Sequence, residues 1–274
     1  MTKKNDIKGI QSRSLRGKPT SMPKHWWAGD PVMTHFYNAL SLLLPVGEEA
    51  FIKSVTHYEA DIVDPKLKRD VRAFVVQEAQ HNKEHGVWYN GMLAEQGYDV
   101  EAIAKNFTQA MRYFSRTLPP MVSLAQTVAA EHLTAILSCL ILSKPGWLAG
   151  VPSEYRLIWE WHATEEIEHK AVAFDLFHAM GGSYGLRCVA GLQLLVVFPL
   201  VMAEMMVRFL HQDKLLGKPK TWWQILKLGG MFLRHSGMMA KRYVAFLLPG
   251  FHPNNHDDEE VLALYQVKLA RSTG

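Results

Sequence analysis

Apolar residues recur every three or four positions along most of this chain, and apolar–polar alternation never runs for long. That period belongs to helices rather than strands. Asp30-Pro31 joins a capping carboxylate to a proline suited to a first helical turn. It opens a helix that "PVG" at 45–47 is expected to interrupt before "EEAFIKSVTHYEADI" resumes it. Asp64-Pro65 opens a second helix, closed by Gly97, and residues 99–118 form a shorter amphipathic connector. Pro119-Pro120 opens a third that ends near "SKPG" at 143–146. Pro152-Ser153 opens a fourth that runs to Gly181-Gly182.

Four long helices with one longer connection predict an all-α fold, a ferritin-like four-helix bundle over residues 30–182. Residues 1–29 read as a basic flexible arm. Its first 24 residues hold seven Lys/Arg against one Asp and no apolar core of a signal peptide. Residues 183–274 read as a C-terminal apolar and basic helical extension. Within it "CVAGLQLLVVFPLVMAEMMV" (188–207) is almost uniformly apolar, and 207–242 holds eight Lys/Arg against the single acid Asp213. Three readings of 188–207 stay open: a buried fifth helix, a contact in the plane of a membrane, or a span, against which Gln193, Pro199 and Glu204 speak. A homodimer through 188–245 would equally use this surface.

The apolar stripes are broken in a consistent way. On the first helix the stripe runs Leu44, Glu48, Phe51, Val55. On the second it runs Val71, Phe74/Val75, Glu78, His81, His85, Trp88, Met92. The third gives Leu124, Val128, Glu131, Ala135, and the fourth Ile158, His162, Glu166, His169, Val172/Ala173. Each helix puts an ionisable group where an aliphatic one is expected. An isolated buried carboxylate costs on the order of several kcal/mol or shifts its pKa strongly. Two divalent cations would balance four carboxylates. The set also follows a known recipe, one Glu from each of two helices and a Glu-x-x-His from each of the others. Glu48 and Glu131 are the single carboxylates; Glu78/His81 and Glu166/His169 are the pairs. Positions three apart differ by about 60° around a helix, so both side chains of a pair reach one centre. His162 lies on the same arc and is read as a further ligand. His85, one turn beyond Glu78/His81, is a possible additional one. Glu165 is read as a partner that holds a His ring of another helix. Glu160 and Glu168 are expected to be solvated, Glu49 to sit beside Lys53 on a polar face, and His132 to be a satisfied core or edge histidine.

Composition narrows the classes. A net charge of +4 is too weak to argue for nucleic acid, and no zinc-finger, Walker or RNP-like segment is present. Cys139 and Cys188 lie in apolar runs and read as free thiols, in keeping with a reducing cytoplasm.

"PVGEEAF", "VVQEAQHNKEH", "AAEHLTA" and "WEWHATEEIEHKAVAFD" resemble the bacterial "predicted metal-dependent hydrolase" family, a ferritin-like di-metal group, over roughly residues 30–250. The ligand layout is similar to that of the di-iron arylamine N-oxygenases, which carry an extra histidine on the last bundle helix. The resemblance implies the same ligands: Glu48, Glu78, His81, Glu131, His162, Glu166 and His169. Carboxylate-rich N/O ligation suits two iron ions, with manganese or a mixed pair as alternatives. The leading expectation is an O2-activating oxidase or oxygenase. Its substrate would be a small organic molecule among Trp88, Trp159, Trp161 and Phe174. A di-metal hydrolase and non-enzymatic iron or oxidant handling are the alternatives.

Overall fold

The computed structural model describes residues 10–15 and 18–270, among which there are helices and turns but no strands. The α-helices are α1 Pro31–Thr56, α2 Pro65–Lys83, α3 Asn90–Glu95, α4 Val100–Thr117 and α5 Pro120–Ser143. They continue with α6 Ser153–His169, α7 Val172–Ala179, α8 Tyr184–Gln212, α9 Pro219–Phe246 and α10 Glu259–Leu269. Four of them form a ring: α1 packs on α2 and α5, and α6 packs on α5 and α2. The helix starts follow from capping. Asp30 accepts from the N–H groups of Val32 and Met33, and Asp64 from that of Lys66, each just before a first-turn proline.

The expected break at "PVG" is absent, and α1 runs unbroken through Pro45. Proline lacks the N–H that would bond the Ser41 carbonyl. The Asn90 side-chain amide supplies that bond at 3.2 Å, and Asn82 donates to the Pro45 carbonyl at 2.6 Å. The second rod is continuous, because a π-helical turn, Glu84–Tyr89, joins α2 to α3. Such turns shift the helical register and often occur at functional sites; this one carries His85. The fourth rod is not continuous. It breaks between α6 and α7 at Lys170, whose ammonium is drawn to Asp258 at 2.7 Å and to the His256 carbonyl.

The described part of the N-terminal arm is packed rather than loose, while residues 1–9, 16 and 17 lie outside the described residues. Leu15, Met22, Trp26 and Trp27 are buried. The Trp27 indole donates to the Trp147 carbonyl at 3.0 Å. Gly150 is required beneath it, because a Cβ there would lie 2.4 Å from the Trp27 ring. Four buried apolar residues outweigh the basic character that suggested a free arm.

Helices α8 and α9 both pack on α1 and α5. The Tyr243 hydroxyl on α9 donates to the Gly191 carbonyl on α8 at 2.7 Å. Among the described residues two helices, α5 and α8, are long and apolar enough to cross a membrane. Helix α5 is a core helix with 83% of its apolar window buried, whereas only 22% of the corresponding window of α8 is covered.

Candidate metal centre

The ring of α1, α2, α5 and α6 brings all seven expected ligands into one interior. Glu48 comes from α1, Glu78 and His81 from α2, Glu131 from α5, and His162, Glu166 and His169 from α6. Each is at most 6% exposed. Their donor atoms form two groups, Glu48/His81/His162 and Glu78/Glu166/His169, with the atoms of each group within 4.8 Å of one another. Glu131 joins the second group, its Oε2 lying 3.1 Å from His169 Nε2. Two carboxylates stand between the groups. Glu166 Oε1 is 3.3 Å from His162 Nε2 and 3.6 Å from both His81 Nδ1 and His169 Nε2. Glu78 Oε1 is 3.2 Å from His169 Nε2 and 3.8 Å from His81 Nδ1.

The outer atoms of these rings set which nitrogen faces inward. Glu165 Oε2 lies 3.2 Å from His81 Nε2, so that nitrogen is the donor and Nδ1 presents its lone pair to Glu78 and Glu166. Gln77 Oε1 lies 3.0 Å from His169 Nδ1, which leaves Nε2 facing Glu131, Glu78 and Glu166. His85 Nδ1 is 3.0 Å from Ser41 Oγ, whose own proton goes to Asn90 Oδ1, so His85 Nε2 also carries a lone pair. Buried atoms with no aligned hydrogen-bond partner include both oxygens of Glu48, Glu78 and Glu131, Glu166 Oε2, His81 Nδ1, His85 Nε2, His162 Nδ1 and His169 Nε2. Bare lone pairs facing bare carboxylates in a dry interior are acceptors without donors. Cations would satisfy such a set, and mixed carboxylate–imidazole donors suit divalent iron, manganese or zinc. The residues therefore fit a metal centre.

Electrostatics of the metal-free chain say the same. Burial, then the neighbouring carboxylates, holds Glu48 and Glu78 well above the ordinary carboxyl range. Burial lifts Glu131 to about 7. For Glu166 burial acts the same way, but the facing His169, His162 and His81 rings outweigh it and keep it ionised. His169 is raised because Glu131 and Glu166 outweigh the burial that opposes its charge. Burial pushes His81 down to about 3 and His162 well below its usual value. In the metal-free chain protons thus occupy these groups, and a metal that binds here must release them.

A support layer continues outward into the N-terminal segment. Arg13 donates to Glu165 from its backbone N–H at 3.0 Å and pairs with Glu168 through both guanidinium nitrogens, at 2.9 and 2.6 Å. The Gln77 side-chain N–H donates to the Gln11 carbonyl and to Glu168, each at 3.0 Å. Two short relays, Arg13–Glu165–His81 and Gln11–Gln77–His169, therefore run from one strand of backbone to two imidazoles on different helices. Glu168, expected to be solvated, is instead held by Arg13, Gln77 and Gln266. Glu160 likewise is buried against Lys268. Helical angle gives the direction of a side chain but not what later covers it. Gln77 and Arg13 escaped the sequence reading. For Gln77 a signal existed, since it lies one turn before His81. For Arg13 there was none.

Other predicted neighbours separate. The Trp161 ring meets His81 edge-on at 4.8 Å between centroids, and its indole donates to Glu165. Trp159 packs on His85, and Trp88 donates to the Pro19 carbonyl. Phe174 is away from the centre, against Phe251 and His252; Phe74 takes its place, packed edge-on to His169 at 4.8 Å. His132 bonds the Arg242 carbonyl and stacks on Phe246, and Glu49 is exposed. A further cluster, His25, His35 and Asp213, is already satisfied: Asp213 pairs with Lys24 at 2.6 Å, with both imidazoles, and with the Tyr98 hydroxyl.

No curated protein and no solved structure matches the chain. A family match covers residues 11–257, which include every residue of the centre and both support relays. By that match the chain belongs to the predicted metal-dependent hydrolase family.

Proposed function

We propose that this chain is a metal-dependent hydrolase working at a dinuclear centre held by Glu48, Glu78, His81, Glu131, His162, Glu166 and His169. The observation that carries the reading is the array of partnerless buried donor atoms from four helices. The family supports the reaction class. A bound pair of divalent ions would supply Lewis acidity and a water of lowered pKa.

The chain's own residues do the rest. Glu78 and Glu166, set between the two donor groups, are placed to bridge them. Glu165 and Gln77 hold the two imidazoles in the tautomers that face inward. His85 Nε2 offers a neutral acceptor for a proton beside the His162 ring, 4.9 Å away between centroids. Trp161 and Phe74 keep water from the flanks. Beyond the α1–α5 wall lies a mainly apolar groove of about 490 Å³ between α1, α4, α5 and α8. That volume suits a small organic molecule, and Phe51, Ser54 and Thr127 are among its lining residues. The substrate class this favours is an ester or amide with an apolar portion.

A second reading, O2-dependent oxidation by two iron ions, rests on one observation. The layout of one Glu from each of α1 and α5 with a Glu-x-x-His from each of α2 and α6 is that of ferritin-like di-iron and di-manganese carboxylate proteins. One assay separates the two. Metal-free protein is loaded with Fe²⁺, Mn²⁺ or Zn²⁺ and offered acyl and aryl esters under argon and under air. Equal turnover in both gases, lost in Glu166→Ala, supports hydrolysis. Turnover with O2 uptake in air alone transfers the assignment to oxidation, and no turnover in either gas counts against both.

A further inference from the structure

The outer face of α8 and α9 inverts the usual surface rule. On α8, Val189, Leu192, Val196, Leu200 and Val207 follow one another at helical spacing, and Trp222, Trp223, Leu226, Leu233 and Val244 cover α9; all are 49–74% exposed. Isolated exposed apolar residues are ordinary, but two helices that meet at Tyr243 and Gly191 and are both lined with them are not. Along one edge of α9, Lys220, Lys227, Arg234 and Lys241 recur every seven residues and are exposed. Seven residues return to within about 20° of the same direction, so the four cations form a stripe beside the apolar band. None of the four forms an ion pair among the described residues. Asp213, the one acid between 207 and 242, is taken up by Lys24, His25 and His35.

We propose that the α8–α9 face is a docking surface for an anionic lipid bilayer, with both helices lying in the plane of the interface. An apolar band edged by Lys and Arg, with tryptophans beside it, is the pattern that such a surface rewards. A transmembrane span does not fit, because the opposite side of α8 is fixed to the bundle through buried Ala190, Met202, Met205 and Phe209. A second copy fits less well, since two-fold pairing of this face would set the cationic stripe against itself. The groove opens beside the same face, where Val197 of α8 and Phe114 of α4 are both 42% exposed. An amphiphile dissolved in the bilayer would thus meet the groove without crossing water. That consequence rests on the hydrolytic reading; the docking does not.

The test is co-sedimentation of the metal-loaded full chain with phosphatidylglycerol/phosphatidylcholine vesicles and with phosphatidylcholine alone, at low and high salt. Binding to the anionic vesicles, weakened by salt, is expected. Lys227→Glu/Arg234→Glu/Lys241→Glu and Leu192→Ser/Val196→Ser/Leu200→Ser should each lower it by roughly tenfold or more. Helical content, metal content and turnover of a water-soluble ester should stay unchanged in both variants, so loss of docking and loss of the centre read out separately. Absence of binding to anionic vesicles, unchanged binding in both variants, or a stable dimer that buries this face and excludes vesicles would overturn the proposal.

Discussion

The centre and the α8–α9 face break the same rule in opposite directions. Inside, four carboxylates and three imidazoles sit where a bundle keeps aliphatic residues. Outside, valines, leucines and tryptophans sit where it keeps charges. The interior group is costly to the metal-free fold, because buried carboxylates and imidazoles crowd one another and must shift their pKa values to be tolerated. The outer group costs the isolated chain little, because exposed apolar atoms weaken solubility rather than the core. On the proposed reading each region is completed by something the chain does not encode: cations within, an apolar phase without. The difference lies in how tightly each is tied to folding.

The largest expected effect is at the bridging position. Glu166→Ala should lose at least one ion per chain and lower turnover by roughly a thousandfold or more, as when a group that acts in the transition state is removed; metal analysis and kcat check it. Next is pH. Above about pH 7.5 the histidines of an unfolded chain are mostly neutral, so the remaining titration belongs to the raised groups. These are Glu131 at about 7, Glu165 at about 8, and Glu48, Glu78 and His169 higher than usual. A group with a raised folded pKa stabilises below its unfolded value and loses that contribution as pH rises through the folded one. The Tm of metal-free protein should therefore fall from about pH 7.5 to about 9, while that of metal-loaded protein holds. A flat metal-free profile would contradict the charge balance argued for the centre.

Arg13→Ala comes third. It removes the guanidinium bonds to Glu165 and Glu168 without touching a ligand, while the backbone N–H to Glu165 stays, and should weaken metal affinity by about tenfold, measured by competition with a chelator. An unchanged affinity would reduce the N-terminal segment to packing alone. The smallest effect sharpens the contrast from the other side. Leu192→Ser on the outer face should change stability by no more than about 0.5 kcal/mol, whereas Phe74→Ala beside His169 should cost about 3–5 kcal/mol. Denaturant unfolding compares the two directly.

Much of the centre was legible because its signal is local. Glu-x-x-His spacing and a broken apolar stripe follow from helical geometry, and Glu48, Glu78, Glu131 and Glu166 announce themselves one helix at a time. What stayed hidden was set by distant chain. Glu160 meets Lys268 and Glu168 meets Arg13 across more than a hundred residues of sequence. Pro45 reads as a breaker until Asn90 supplies the missing bond. The turn at Lys170 carries neither proline nor glycine, and its ion-pair partner Asp258 lies 88 residues further along the chain.

The central claim is that the buried charges exist to hold two divalent ions. Metal analysis of the purified chain, before and after dialysis against Fe²⁺, Mn²⁺ and Zn²⁺, tests it most directly. The account predicts close to two ions per chain, with about one proton or more released per ion bound. A stably folded chain that takes up none of the three would contradict it.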